Sequence, residues 1–183
     1  GKKCLVHIQR REEQKPPPYN LNLAVVPTKN MSRMEWLLEK SIEFGLSGFY
    51  PVFSRRSERK KINTERLEKI ALAAMKQSKK YFKTKIGIPV SFKEFLSKSI
   101  NGKKFIAHCD LSMKRENAFR VFEPHGNLWV LIGPEGDFEE SEIQRANKEG
   151  FMSIHFGDSR FRTETAGLIP SSILYHKLQS NED

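Results

Sequence analysis

Cysteine is scarce in this chain. Cys4 and Cys109 are the only two in 183 residues and lack C-x-x-C spacing, which excludes a disulfide scaffold or a thiolate metal site, so both thiols are read as reduced. The five histidines form no H-E-x-x-H pair, and no metal is expected. No apolar run approaches the length needed to span a bilayer, and no signal-peptide pattern opens the sequence. The expectation is a soluble, intracellular protein with no membrane partner. Neither G-x-G-x-x-G nor G-x-x-x-x-G-K-[ST] occurs, so dinucleotide and P-loop readings lack their required residues. Acidic residues are also in deficit: 22 Asp and Glu stand against 32 Lys and Arg, a formal net charge of +10.

What is present is an ordinary globular composition, 38% hydrophobic, in a chain long enough for one good-sized core. Residues 9–20 are polar and contain Pro16-Pro17-Pro18, a stiff extended linker. Beyond it, strand-like runs alternate with helix-like ones. Leu21–Val26 reads as a strand. Ser32 with Glu35 has capping-box spacing, Met34, Leu37, Leu38, Ser41 and Ile42 form a helical stripe, and Gly45 ends it. Gly48–Phe53 reads as a strand, Thr64–Lys80 as a helix, Phe92–Leu96 as a short helix and Lys104–Cys109 as a strand. Such alternation predicts an α/β fold with a mainly parallel sheet covered by helices on both faces.

Two loops in the C-terminal third carry most of the functional signal. Leu128–Ile132 is a continuous apolar run, as in a strand buried on both faces. Gly133-Pro134-Glu135-Gly136 follows, with glycines that let the backbone turn and leave it bare for a flat ligand. Asp137 with Glu140 has capping-box spacing, and Gly150 is a plausible stop for the helix between. A second short strand, Met152–Phe156, leads through Gly157 to Arg160-Phe161-Arg162-Thr163-Glu164-Thr165 and a helix from Ala166 to Leu178. Either threonine could cap that helix, with Glu164 favoured by its dipole. Loops at the C-terminal ends of strands in open α/β sheets are where small ligands bind. His108 and Asp110, at the end of another strand, fall near the same edge.

The positive charge is clustered. Arg55, Arg56, Arg59, Lys60 and Lys61 fill five of seven positions, and Lys76, Lys79, Lys80, Lys83 and Lys85 fill five of ten. Each run alone could be a solvated surface; together they favour a polyanionic partner, contacted at its phosphates. Tyr81 and Phe82 have faces suited to stacking on an exposed base, but at least one is expected in the core.

Gly133-Pro134-Glu135-Gly136 with its acidic helix, then Gly157 and Arg162-Thr163-Glu164-Thr165-Ala166, resemble the RsmE family of the SPOUT superfamily, the 16S rRNA uridine-N3 methyltransferases. Glu39-Lys40-Ser41-Ile42-Glu43-Phe44-Gly45, Arg55-Arg56-Ser57 and Ala73-Ala74-Met75-Lys76-Gln77-Ser78 also match family segments, so the likeness covers about residues 21–180. Two departures are Asp137, where the family commonly has a second glycine, and Lys80, where it usually has arginine. Family members begin with a PUA-like β domain; here residues 1–20 read as its remnant plus linker, with Gly1–Ile8 as its last strand, and 21–183 as the methyltransferase domain.

The resemblance implies a SPOUT-type sheet with a C-terminal deep trefoil knot, S-adenosylmethionine as donor, a homodimer, a cytoplasmic location, and 16S rRNA of the small ribosomal subunit as partner. For the cofactor it implies Leu131, Ile132, Gly133, Pro134, Glu135 and Gly136 from the first loop. From the second it implies Phe156, Gly157, Phe161, Arg162, Thr163, Thr165 and Ala166, with His108 from the neighbouring strand. Glu135 either contacts the cofactor or caps a backbone turn. Arg162 is the candidate cation for charge developing on the uracil, and Glu164 either orients it or assists proton removal; a purely structural Arg162–Glu164 ion pair is the alternative. Arg55, Arg56, Arg59, Lys60, Lys79 and Lys80 are the candidate RNA contacts. Competing readings are a non-catalytic RNA-binding or ribosome-assembly module, and a SPOUT methyltransferase acting on another RNA.

Overall fold

Apolar runs and helical stripes organise residues 3–180, the part of the chain described by the computed structural model. The first half contains β1 (Tyr19–Val25), α1 (Met31–Glu43), β2 (Gly48–Phe53), α2 (Thr64–Gln77), β3 (Lys85–Ile86), β4 (Val90–Ser91) and α3 (Phe92–Leu96). The second contains β5 (Lys103–Ala107), β6 (Glu116–Asn117), α4 (Ala118–Val121), β7 (Gly126–Ile132), α5 (Glu140–Lys148), β8 (Met152–His155) and α6 (Thr163–Gln179). Every strand pairing is parallel, in the order β3-β2-β1-β7-β5-β8-β6, with β4 also on β2.

The continuous apolar runs of β1 and β7 are explained by burial on both faces. Leu21, Leu23 and Val25 with Leu128, Val130 and Ile132 point into one core, packed by Leu37 and Leu38 of α1, Leu67 of α2 and Leu174 of α6. Ala24, Leu131 and Ile106 point into the other, against Phe92 and Phe95 of α3 and Ile143 and Ala146 of α5. Each large apolar side chain taken fully out of water in this way contributes roughly 1.5–3 kcal/mol. The expected stripe of α1 is buried throughout, and Gly45 ends it with φ +92. At Gly167 an added Cβ would stand 2.7 Å from Leu37 Cδ2; glycine there lets α6 approach α1 closely.

Local signals corrected several boundaries. Asn30, not Ser32, caps α1, accepting from Ser32 N at 3.0 Å, because Glu35 is engaged by Arg66. α2 stops at Gln77, three residues early. Lys80 N donates to Met75 O and Lys79 N to Lys76 O, a Schellman turn that puts Lys79 at φ 53 where glycine is usual. Tyr81 and Phe82 follow that turn, and both are exposed, at 69% and 45%, against the expectation that one would be core. At the N-terminus Lys3–Ile8 carry no strand; Gly1 and Lys2 lie outside the described residues, as do residues 181–183. β1 opens at Tyr19, inside the segment read as linker, and Tyr19 is buried. No helix among the described residues is long and apolar enough to cross a membrane.

Candidate active site

A cavity of about 540 Å³ opens at the C-terminal ends of β5, β7 and β8, within the range of small-molecule sites. Parallel pairing brings these ends together although they are far apart in sequence. Of the residues expected to hold a cofactor, Ile132, Gly133, Pro134 and Glu135 line it from the β7 side. Phe156, Gly157, Phe161, Thr163 and Ala166 line it from the β8–α6 side, and His108 from the end of β5. Leu131 does not, since it faces the opposite core. Gly136 lies outside the lining, and Arg162 and Thr165 line a different cleft.

The sharp feature of the first loop is not a glycine. Asp137 holds φ 62, whereas neither Gly133 nor Gly136 is left-handed. Aspartate tolerates this conformation when its side chain bonds locally. Asp137 Oδ1 accepts from Phe138 N at 2.8 Å and Oδ2 accepts from Cys109 N at 2.7 Å, which ties the β7 loop to the end of β5. The aspartate therefore does not cap α5; the N-cap is Glu139, whose N–H donates to Glu142 Oε2 at 3.1 Å. Gly133 sits close against Phe138: an added Cβ would stand 3.1 Å from that ring, which would have to shift by a few tenths of an ångström. Glu135, which lines the cavity, also accepts from Lys29 N through its Oε1 at 3.2 Å.

Three of the arginines expected on RNA make hydrogen bonds in and around this loop. Arg56 Nη1 donates to Gly136 O at 2.7 Å, and Arg59 Nη2 donates to Lys29 O at 2.8 Å, next to the Glu135 contact. Arg55 donates through its backbone to Glu142 Oε1 at 3.0 Å and through Nη1 to Glu139 Oε2 at 3.2 Å. Lys60 is exposed.

His108 is 5% exposed, and neither ring nitrogen has a hydrogen-bond partner among the described residues. Burial lowers its pKa most, opposed by Asp137 and assisted by Arg115, whose Nη1 donates to His108 O at 2.8 Å. A neutral imidazole thus lines the cavity with one donor and one acceptor unmet. Such groups are normally satisfied, and a ligand carrying both kinds of polar atom would satisfy them. With the apolar surfaces of Ile132, Ile154, Phe156 and Ala166, the residues fit an adenosine-type ligand. Arg115 and Ile154 carry no signal singled out in the sequence, and Asp137 reads there only as a helix cap and a departure from the family glycine. For Asp137, the signal was its place directly after a Gly-Pro-Glu-Gly turn, where a left-handed residue is needed.

The expected catalytic pair is split from this cavity by the first turn of α6. The helix opens one residue past Arg162, its N-cap, without a side-chain cap bond, so neither Thr163 nor Thr165 caps it. Thr163 and Ala166 face the cavity, whereas Arg162, Glu164 and Thr165 line a cleft with Ser32, Arg33 and Trp36 of α1. Glu164 is 8% exposed. Its Oε1 lies 3.6 Å from Arg33 Nε, and its buried Oε2 has no partner among the described residues. The ion pair at this carboxylate is thus made by Arg33, not by Arg162, which is exposed. Trp36 had a legible signal: a large aromatic residue off the buried stripe of α1.

Comparison with known proteins places these observations in a family. The model of the RNA methyltransferase domain matches residues 15–175. Ribosomal RNA small subunit methyltransferase E of Mesomycoplasma hyopneumoniae is 31% identical over 153 residues, covering 81% of this chain and 65% of that protein. The chain thus spans just under two thirds of that relative. A probable rRNA-methyltransferase from Porphyromonas gingivalis superposes with a TM-score of 0.84 at 36% identity, covering 94% of this chain and 73% of that one. The ribosomal RNA small subunit methyltransferase E of Neisseria gonorrhoeae, bound to S-adenosyl methionine, superposes with a TM-score of 0.70 at 28% identity, covering 88% and 68%.

Proposed function

Because this chain belongs to the RNA methyltransferase domain family and is a relative of ribosomal RNA small subunit methyltransferase E, we propose that it methylates N3 of a uridine in 16S ribosomal RNA, with S-adenosylmethionine as donor. The observation that carries this reading is the cavity at 132–135 and 156–166, in a fold shared with a relative solved with that donor. When bound, the donor supplies a methyl group on a positively charged sulfur.

The chain's own residues do the rest. Ile132, Gly133, Phe156 and Ala166 form apolar walls that exclude water, and His108 offers its two ring nitrogens to the polar atoms of the ligand. Holding the donor and the base in reacting geometry supplies much of the acceleration. Uridine N3 carries a proton that must leave, and in this reading the Glu164 carboxylate, in the cleft it shares with Arg162, is its acceptor. The negative charge then spreads onto O2 and O4 of the uracil, where the Arg162 guanidinium stabilises it. Arg33 Nε stands 3.6 Å from Glu164 Oε1 and holds the carboxylate in place.

The same reading includes a deep trefoil knot, a homodimer and a cytoplasmic location. The sheet order supports the knot: the chain leaves β7, passes β5 to reach β8, and returns through α6 onto α1 and β1. On α6, Leu168 and Ile173 pack on the chain's own core, and half-buried Ile169, outside both core clusters, supports a partner surface. Lys60, Lys79 and Lys80 remain as phosphate contacts, and Arg55, Arg56 and Arg59 are free to add to them only with their remaining donors.

The test is primer extension on small-subunit rRNA from cells with and without the gene. Methylation at N3 blocks the pairing edge, so a reverse-transcription stop should vanish on deletion and return on complementation. A stop that persists in the deletion strain overturns the substrate assignment.

A further inference from the structure

The segment between α2 and β3 presents two aromatic rings to solvent at the end of the sheet opposite the cavity. Tyr81 is 69% and Phe82 45% exposed, and neither ring packs on another aromatic residue among the described ones. Their backbone is nonetheless fixed on both sides. Upstream, the Schellman turn is reinforced by Ser78 Oγ donating to Ala74 O at 2.7 Å. Downstream, Thr84 Oγ1 donates to Leu46 O at 2.7 Å and Lys85 N to Ser47 O at 2.9 Å. Lys79 holds φ 53 within that turn, a conformation that costs a non-glycine residue about 1 kcal/mol or more. Large apolar rings on a rigid, exposed backbone lose little conformational freedom when something stacks on them.

The charge around the rings says what that would be. From Lys69 to Lys93 there are seven lysines and no Asp or Glu. Lys79, Lys83 and Lys85 are exposed, with no carboxylate partner among the described residues. Lys80 stands 5.7 Å from the centre of the Tyr175 ring. Aromatic faces interleaved with cations are what unpaired nucleic acid needs: stacking for the bases and charge for the phosphates. A duplex keeps its bases inside and would use only the lysines.

We propose that Tyr81 and Phe82 form a stacking platform for unpaired bases of single-stranded RNA, flanked by Lys79, Lys83 and Lys85. The platform rests on the RNA substrate class assigned above, but not on the cavity or the methyl donor. Lys85 and Gly48 open β3 and β2 side by side, whereas the cavity lies past the opposite ends of β5, β7 and β8. One seven-residue strand, β1, is about 20 Å long. The RNA flanking the target base is thus held at a second place on the molecule, away from the chemistry.

The experiment is fluorescence anisotropy on the 183-residue chain, with a labelled uridine-rich 12-mer and a duplex of equal length, each at two salt concentrations. Y81A/F82A should weaken binding of the single strand about ten-fold or more, leave duplex binding within two-fold, and leave the salt dependence unchanged. K79A/K83A should weaken both and flatten the salt dependence. Calorimetry with S-adenosylmethionine should give the same affinity for Y81A/F82A as for wild type, which shows the variant folded. If wild type binds the single strand and Y81A/F82A binds it equally, the platform alone is wrong. Equal losses on single strand and duplex overturn it too, because stacking is then not what was removed. Failure of wild type to bind either RNA removes both the platform and the substrate class.

Discussion

Arg56 Nη1 donates to the carbonyl of Gly136 at 2.7 Å, across 80 residues of sequence. That one bond joins the basic turn after β2 to the glycine loop after β7, on the side of the loop away from the cavity lining. Arg59 and Glu135 meet at Lys29 in the same assembly. The loop is held from behind while its inner surface stays open.

Arg56→Ala should therefore weaken S-adenosylmethionine binding by about five-fold, the worth of one hydrogen bond, with a melting temperature close to wild type. Arg56→Lys should recover part of the loss, since an ammonium can donate to one carbonyl but not in the fixed fork of a guanidinium. Isothermal titration reads this directly. Unchanged cofactor affinity together with weaker RNA binding would return Arg56 to the RNA surface.

Asp137→Ala removes two acceptors, for Cys109 N and Phe138 N, while leaving the left-handed backbone in place. We expect a loss of about 1–3 kcal/mol in urea unfolding. Asp137→Gly should cost less, because glycine relaxes the φ of 62. The ranking is the test: a glycine variant less stable than the alanine variant would contradict it.

Asp137 also separates what residue pattern encodes from what only tertiary packing decides. Strands β1, β2 and β7 and the α1 stripe were legible because burial imposes a period on the residues. Caps were not. Asp137 and Ser32 each had an acidic residue at box spacing, yet tertiary partners took Asp137 and Glu35, and Asn30 took the cap of α1. The cavity was legible because both loops sit at strand ends, whereas the split between Thr163 and Glu164 was not. Adjacent residues on a helix point about 100° apart, and only the packing of α6 on α1 decides which one meets Arg33. Tyr81 and Phe82 run against expectation because aromatic composition favours burial, whereas the early end of α2 leaves both in the exposed segment after its closing turn.

Stability should fall on the acid side through His108. Its pKa is lowered in the folded chain by burial, so below the ordinary histidine range the unfolded chain takes up a proton that the folded chain refuses. Unfolding is then favoured as pH drops through about 6.5 toward the lower folded value. Above that range both states are neutral and no penalty remains. Urea unfolding at pH 7.5 and 5.5 should show a smaller acid loss for His108→Gln than for wild type. Equal losses would mean that the imidazole is not the group responsible.

Arg162→Ala should lose most of the turnover in a single-turnover assay while keeping cofactor affinity within a few-fold, because Arg162 lies outside the cavity lining. Glu164→Gln should lose turnover as well, with a loss that shrinks as pH rises if the carboxylate accepts the N3 proton. Wild-type turnover in Arg162→Ala would remove it from the mechanism.

S-adenosylmethionine is assigned to the cavity between the 132–135 and 156–166 segments. Calorimetric titration of the chain with that compound tests the assignment most directly, alongside Ala166→Phe, which fills the cavity from the α6 side. The account predicts saturable binding at one site per chain in wild type and its loss in the variant. No heat and no thermal stabilisation at millimolar S-adenosylmethionine, or identical binding by Ala166→Phe, would contradict it.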